Sequence, residues 1–188
     1  TRQTHQKNTA RSWESLKKLG GPAVIMAEPV EKLEALIKDA GFSRQKAQWI
    51  KGSLELIHKR FGELSLRQAQ EWPDDELEAF LCSLPGISIK TAKCIMMFSM
   101  GRQVLPVDTH VRRISERAGL VAKGLSEKRV HNELERVVMP HQRYAFHVSC
   151  ICHGRAVCKV LNPSCAECVI QSSCTSFESR HLKHEQKA

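Results

Sequence analysis

Apolar residues recur three and four positions apart along most of this chain, the spacing that gathers side chains on one face of an α-helix. In "VEKLEALIKDAGF" they are Val30, Leu33, Leu36 and Ile37; in "DDELEAFLCSL" they are Leu77, Phe80, Leu81 and Leu84. Between them, "KAQWIKGSLELIHKRFG" places Ile50, Leu54 and Ile57 on one face and stops at Gly62. Gly or Pro closes each segment, as expected where a helix ends. No stretch alternates long enough to demand a strand. The pattern predicts an all-α fold whose helices pack as a bundle and not as a repeat array. After Gly101, "RQVLPVD" predicts a short extended connector around Pro106, and a second set of helices opens at Thr109. This places a boundary between a helical domain at 1–103 and a second helical domain at 104–188. The final "ESRHLKHEQKA" is charged and is expected to fray.

A chain of 188 residues is long enough to bury a real core, so disulfides are not needed for stability. Charge changes the picture more. Lys and Arg number 29 against 20 acidic residues, and the net charge of +9 predicts a polyanionic partner, either nucleic acid or an acidic membrane surface. No segment reaches the ~20 apolar residues of a membrane span, and no cleavable apolar leader is visible. The expectation is a soluble intracellular protein. The chain opens at "TRQTHQ" without Met, which is expected either of a processed N-terminus or, the favoured reading, of a segment that starts inside a longer protein.

Eight cysteines then need a reason. Cys158, Cys165, Cys168 and Cys174 fall within "CKVLNPSCAECVIQSSC", separated by six, two and five residues. Four thiolates in a compact, Pro-containing loop can wrap one metal centre. Spacing alone leaves both a zinc knuckle and an iron–sulfur centre open. Cys82, Cys94, Cys150 and Cys152 lie in apolar helical context and are expected to behave as small buried hydrophobes.

The segment "LPGISIKTAKCIMMFSMG" reads as a helix end, a tight turn at Pro85 and Gly86, and a second helix whose first turn holds Ile87 to Lys90. Such a turn presents backbone N–H groups at a positive helix end, which suits a phosphate oxygen and grips a DNA backbone without reading bases. An ordinary helix connection is the plainer alternative. Ile89, Ala92, Met96 and Ser99 share one face of the second helix, with Lys90, Cys94 and Met97 on another. Lys90 is therefore not forced into the core, and a lysine amine can serve as a nucleophile. Asp108, in "PVDTHVRRI", can cap the helix that starts at Thr109 or, as a carboxylate at the end of a connector, serve chemistry.

Together "LPGISIKTA", "VDTHVRRI" and "HGRAVC", followed by the spaced cysteines, resemble the helix-hairpin-helix DNA glycosylases of the endonuclease III family. The resemblance runs from about Gln3 to Cys174, with the motifs in the family's order. It implies two helical domains flanking a DNA-binding cleft, a helix-hairpin-helix motif, and a C-terminal cluster loop. Cys158, Cys165, Cys168 and Cys174 would then hold one four-iron four-sulfur cluster, and Lys159 would belong to a basic loop facing DNA. The family's catalytic lysine falls on Lys90 and its catalytic aspartate on Asp108. Retention of the lysine implies a bifunctional enzyme, since the similar adenine-mismatch glycosylases usually lack an amine there. Gln3 would fill the gap left by a flipped nucleotide. Phe42 stands where a leucine wedge is common, although it could equally be a core residue. Leu84, Gly86, Ile87, Ser88 and His110 complete the expected DNA contacts. Ser88 replaces a glycine of the family hairpin, which would store strain if the position needs a positive φ.

The implied activity is glycosylase and AP lyase chemistry on oxidised pyrimidines in duplex DNA bearing damaged bases or abasic sites. The protein would act as a monomer without a membrane, in a bacterial cytoplasm or in a nucleus or organelle. A glycosylase for another lesion or mismatch, and a catalytically silent DNA-binding module, are the competing readings.

Overall fold

The structure, a computed structural model, describes residues 6–179. Among them every long element is a helix and no strand occurs, as the apolar spacing predicts. The helices are α1 (Gln6–Lys17), α2 (Pro22–Ala27), α3 (Val30–Leu36), α4 (Ser43–Phe61), α5 (Asp74–Ser83), α6 (Ile89–Met100), α7 (Thr109–Ala118), α8 (Glu127–Val137) and α9 (Arg143–Ala156). None of the described helices is long and apolar enough to cross a membrane.

The chain divides into two compact units, one ending at Ser88 and one beginning at Ile89. The division precedes the expected 103/104 boundary and assigns α6 to the second unit. The cause lies on α6 itself, where Lys93 is buried and paired with Glu135 of α8 at 2.8 Å. The buried face of α6 is Ala92, Lys93, Met96 and Met97, while Ser99 is exposed. The expected face thus shifts to take in Met97 and a charged residue.

In the first unit Leu16, Leu33, Ile37, Ala40 and Ala47 form a core, with Val30, Leu36 and Ile50 packed against it. Phe61, Trp72 and Phe80 close a second contact, their ring centroids 5.3–5.6 Å apart. Three acidic residues, Asp74, Asp75 and Glu76, fill the first turn of α5, where they complement the helix dipole. The turn after α5 is built on Gly86, whose φ of +75° favours glycine. Its backbone lies against α4: a Cβ there would sit 2.5 Å from the Trp49 ring. Ile87 N–H closes the turn on the Leu84 carbonyl at 3.2 Å. Ser88 is not among the residues with positive φ, so serine in place of the family's glycine stores no backbone strain.

The second unit is organised around an extended segment. Val104, Leu105, Pro106 and Val107 are all buried, and no strand among the described residues pairs with them. Buried backbone polar groups need partners, and here side chains of α8 and α9 supply them. Arg143 Nη1 donates to the Gln103 carbonyl at 2.6 Å, and Leu105 N–H donates to Glu135 Oε1 at 2.8 Å. The Pro106 carbonyl accepts from His147 Nδ1 at 2.8 Å, and Val107 N–H donates to His131 Nε2 at 3.1 Å. The apolar side chains of the connector join Val111, Ile114, Val130, Leu134, Val138 and Cys150 in the core.

Two predictions follow from this packing. Gly86→Ala forces a left-handed L-residue, at about 1–2 kcal/mol, and drives a methyl into Trp49; thermal unfolding should show a clearly lower Tm, and an unchanged Tm would contradict the turn geometry.

The second concerns pH. His131 accepts from Val107 at Nε2 and donates from Nδ1 to the Glu127 carbonyl at 2.9 Å, so only the neutral ring satisfies both partners. Burial pushes both His131 and His147 below the usual histidine range. The unfolded chain therefore takes up protons that the folded unit refuses. Stability is complete above the ordinary histidine pKa of about 6.5 and declines as pH falls through and below it. Urea midpoints measured on either side of that value should show the loss, and His131→Gln should flatten it. A wild-type midpoint that does not move would contradict the neutral latch.

Candidate functional site

Asp108 ends the latched connector and caps α7. Its Oδ1 accepts from His110 N at 2.9 Å and from Val111 N at 2.8 Å. Both bonds fall on one oxygen; among the described residues no hydrogen bond reaches Oδ2. Capping and chemistry, set against each other as alternatives by the sequence, are therefore compatible at this carboxylate.

Lys90 lies in the first turn of α6, half-buried, with no hydrogen bond or ion pair among the described residues. Its field and that of Asp108 meet at His147. Burial is the main reason that the His147 imidazole titrates low; its bond to the Pro106 carbonyl and the nearby Asp108 oppose this, and Lys90 adds to it. The amine, the carboxylate and the imidazole thus lie within electrostatic reach of one another, all in the second unit. His147 itself is 3% exposed and packs against Phe98, with ring centroids 5.7 Å apart.

His110 sits one step along α7. Arg113 Nη2 lies 3.1 Å from His110 Nδ1, and since a guanidinium can only donate, Nδ1 accepts and Nε2 carries the proton. Arg113 also donates to the Gly154 carbonyl at 2.9 Å and to the Cys158 carbonyl at 3.0 Å. The close approach of α9 to α7 explains the glycine of "HGRAVC", since a Cβ on Gly154 would lie 2.5 Å from His110 Nδ1.

The cysteines spaced along the last segment converge. Cys158, Cys165, Cys168 and Cys174 all line one pocket, together with Ile114, Arg117 and His153. Arg117 organises its wall. Its guanidinium donates to Cys158 Sγ at 3.3 Å, to the Lys159 carbonyl at 2.7 Å and to the Val160 carbonyl at 2.9 Å, while its own carbonyl accepts from Cys174 Sγ at 3.3 Å. Cys168 Sγ lies 3.5 Å from His153 Nε2. Among the described residues, no three His, Cys, Asp or Glu side chains stand close enough to share a single metal ion. The donor set is four sulfurs lining one pocket with a cationic guanidinium at its edge, a setting that suits a negatively charged group. Of the other cysteines only Cys150 is buried; Cys82 and Cys152 are exposed, because they fall on the solvent sides of α5 and α9.

The remaining expected contacts separate. Gln3 lies outside the described residues. Phe42 is 61% exposed, which removes the core reading, and it holds a left-handed backbone (φ 49°, ψ 39°) at the start of α4. Leu84 is buried at 4%, so its side chain belongs to the core and only its backbone takes part in the turn. Gly86, Ile87 and Ser88 form the turn itself, and Lys159 is exposed. Sequence reading missed His131, Glu135, His147 and Lys93. The one available signal was polar residues set within otherwise apolar helix faces, as in "RYAFHVSC".

Residues 1–140 match the model of the HhH-GPD superfamily base excision DNA repair proteins. Endonuclease III of Bacillus subtilis is 34% identical over 162 residues, covering 86% of this chain and 70% of that protein. Endonuclease III of Synechocystis sp. is 33% identical over 151 residues, covering 79% of this chain and 64% of its own length. A solved structure of a trapped endonuclease III–DNA covalent intermediate superposes with a TM-score of 0.80 at 27% identity, over 95% of this chain and 80% of that one. With the family model matching residues 1–140 and relatives of this identity, the chain belongs to the HhH-GPD superfamily of base excision DNA repair proteins, among its endonuclease III-like members.

Proposed function

We propose that this chain is a bifunctional DNA glycosylase and AP lyase that removes oxidised pyrimidines from duplex DNA inside the cell, acting as a monomer. The observation that carries the reading is that Lys90 and Asp108 both act electrostatically on His147, with neither the Lys90 amine nor Asp108 Oδ2 bound to another described residue. The covalent DNA intermediate trapped for the structurally similar endonuclease III supports it.

The chemistry follows from the residue types. A damaged base leaves the stack at a cost of a few kcal/mol, least for a weakened pair. Lys90 Nζ, as free amine, forms a bond to the sugar C1′ as the bond to the base breaks, and the base departs with a proton. Asp108 stabilises the positive charge that develops on the sugar and passes protons to and from the amine. Opening of the sugar ring leaves an imine, which acidifies C2′. Loss of that proton expels the 3′ phosphate and cuts the strand, and hydrolysis of the imine returns Lys90.

The backbone N–H groups at the Gly86–Ser88 turn of the first unit suit a phosphate oxygen; in the second unit, considered by itself, His110 and Lys159 are candidate donors to DNA. Exposed Phe42, held in a strained conformation, suits insertion between bases. Cys158, Cys165, Cys168 and Cys174 would hold a four-iron four-sulfur cluster, whose chemistry here is structural: it cross-links the last segment of the chain.

Borohydride should trap a covalent adduct on duplex DNA carrying one abasic site, and Lys90→Ala should abolish it. Binding without an adduct in the parent would instead leave a monofunctional glycosylase or a binding module. Protein purified without oxygen should contain iron and acid-labile sulfide in equal amounts, and Cys165→Ala should lose both; stoichiometric zinc without sulfide would contradict the cluster.

A further inference from the structure

The mechanism leaves one buried charge pair unused. Lys93 and Glu135 meet at 2.8 Å, with side chains only 6% and 21% exposed. The same carboxylate oxygen, Oε1, accepts from Leu105 N–H at 2.8 Å. Glu135 is itself held, because Arg143 Nη2 donates to its carbonyl at 2.6 Å while Arg143 Nη1 donates to Gln103. One oxygen atom therefore joins α6, α8 and the extended connector.

The two segments that it joins are those that carry the proposed reacting groups. Lys93 follows Lys90 on α6 by three residues, about 4.5 Å along the helix axis. Leu105 precedes Asp108 by three residues, about 10 Å along extended chain. A buried ion pair is a poor source of net stability, since desolvation offsets most of its attraction, and its specific value is geometric.

We infer that the Lys93–Glu135 pair is a positioning device: by gripping the Leu105 amide it sets the distance between Lys90 and Asp108. The inference rests on the lysine-imine reading above. Neither residue touches the reacting atoms.

The test uses the full chain and the double variant Lys93→Met with Glu135→Gln. It removes both charges while the amide oxygen still accepts from Leu105, so no buried charge is left unpaired. Its far-UV circular dichroism and Tm should stay near the parent's. Strand cleavage of abasic duplex DNA under single-turnover conditions should slow by about tenfold or more, the scale on which small misplacements act, with KM for the DNA little changed. Lys93→Arg, which keeps both the charge and a donor to Glu135, should recover part of the rate and serves as the working variant if the double variant does not fold. A folded variant that cleaves and is trapped as fast as the parent, or that loses only KM, overturns the inference alone. If the parent itself gives no borohydride adduct, the lysine-imine reading fails first and the inference falls with it.

Discussion

An extended, buried segment with no strand beside it has to find partners for its backbone elsewhere, and in this chain that requirement shapes the second unit. Each unmet buried amide or carbonyl costs on the order of 1–3 kcal/mol. Glu135, His131, His147 and Arg143 meet that cost at the Gln103 carbonyl, the Leu105 amide, the Pro106 carbonyl and the Val107 amide. They do so from α8 and α9, so the placement of those helices, the burial of two neutral histidines and the position of Asp108 are one problem with one solution. A Pro at position 106 suits the middle of such a segment because it brings no amide to satisfy.

From Asp108 the order passes along α7. Its first turn is fixed by the aspartate cap, its middle by Arg113 against the Gly154 carbonyl, and its end by Arg117, which arranges the cysteine-lined cavity. A short helix thereby connects a carboxylate suited to chemistry with a site suited to a cofactor. The proposed role of the cluster is consistent with this arrangement: holding the last segment in place keeps the carbonyls that Arg117 and Arg113 need.

Much of this was readable in the sequence, and the unreadable part has a physical cause. Helices in a bundle announce themselves by spacing, so Leu33, Leu77 and Leu81 were identifiable as core, and they are fully buried. Four cysteines at set intervals predict convergence whatever they bind. A glycine at 86 reads as a turn, and its positive φ agrees. The latch residues gave no comparable signal, because their partners are backbone atoms of a segment distant in sequence, and hydrogen bonds to backbone leave no mark in side-chain pattern. Lys93 was harder still: a lysine on a helix is expected at the surface, and its contact with Glu135 accounts for a charge in the interior. Phe42 shows the reverse, an apolar residue that pattern alone could not separate from core, now exposed on a left-handed turn.

The most direct test of the account is amide hydrogen exchange at Leu105 and Val107. Both amides lie outside any helix, so an unsupported connector would exchange them at the rate of an open loop. If Glu135 and His131 hold them, they should exchange as slowly as core amides of α7 such as Val111, and the protection of Val107 should weaken as pH falls and His131 takes up a proton. Loop-like exchange at both positions would contradict the claim that side chains of α8 and α9 fix the segment on which Asp108 stands.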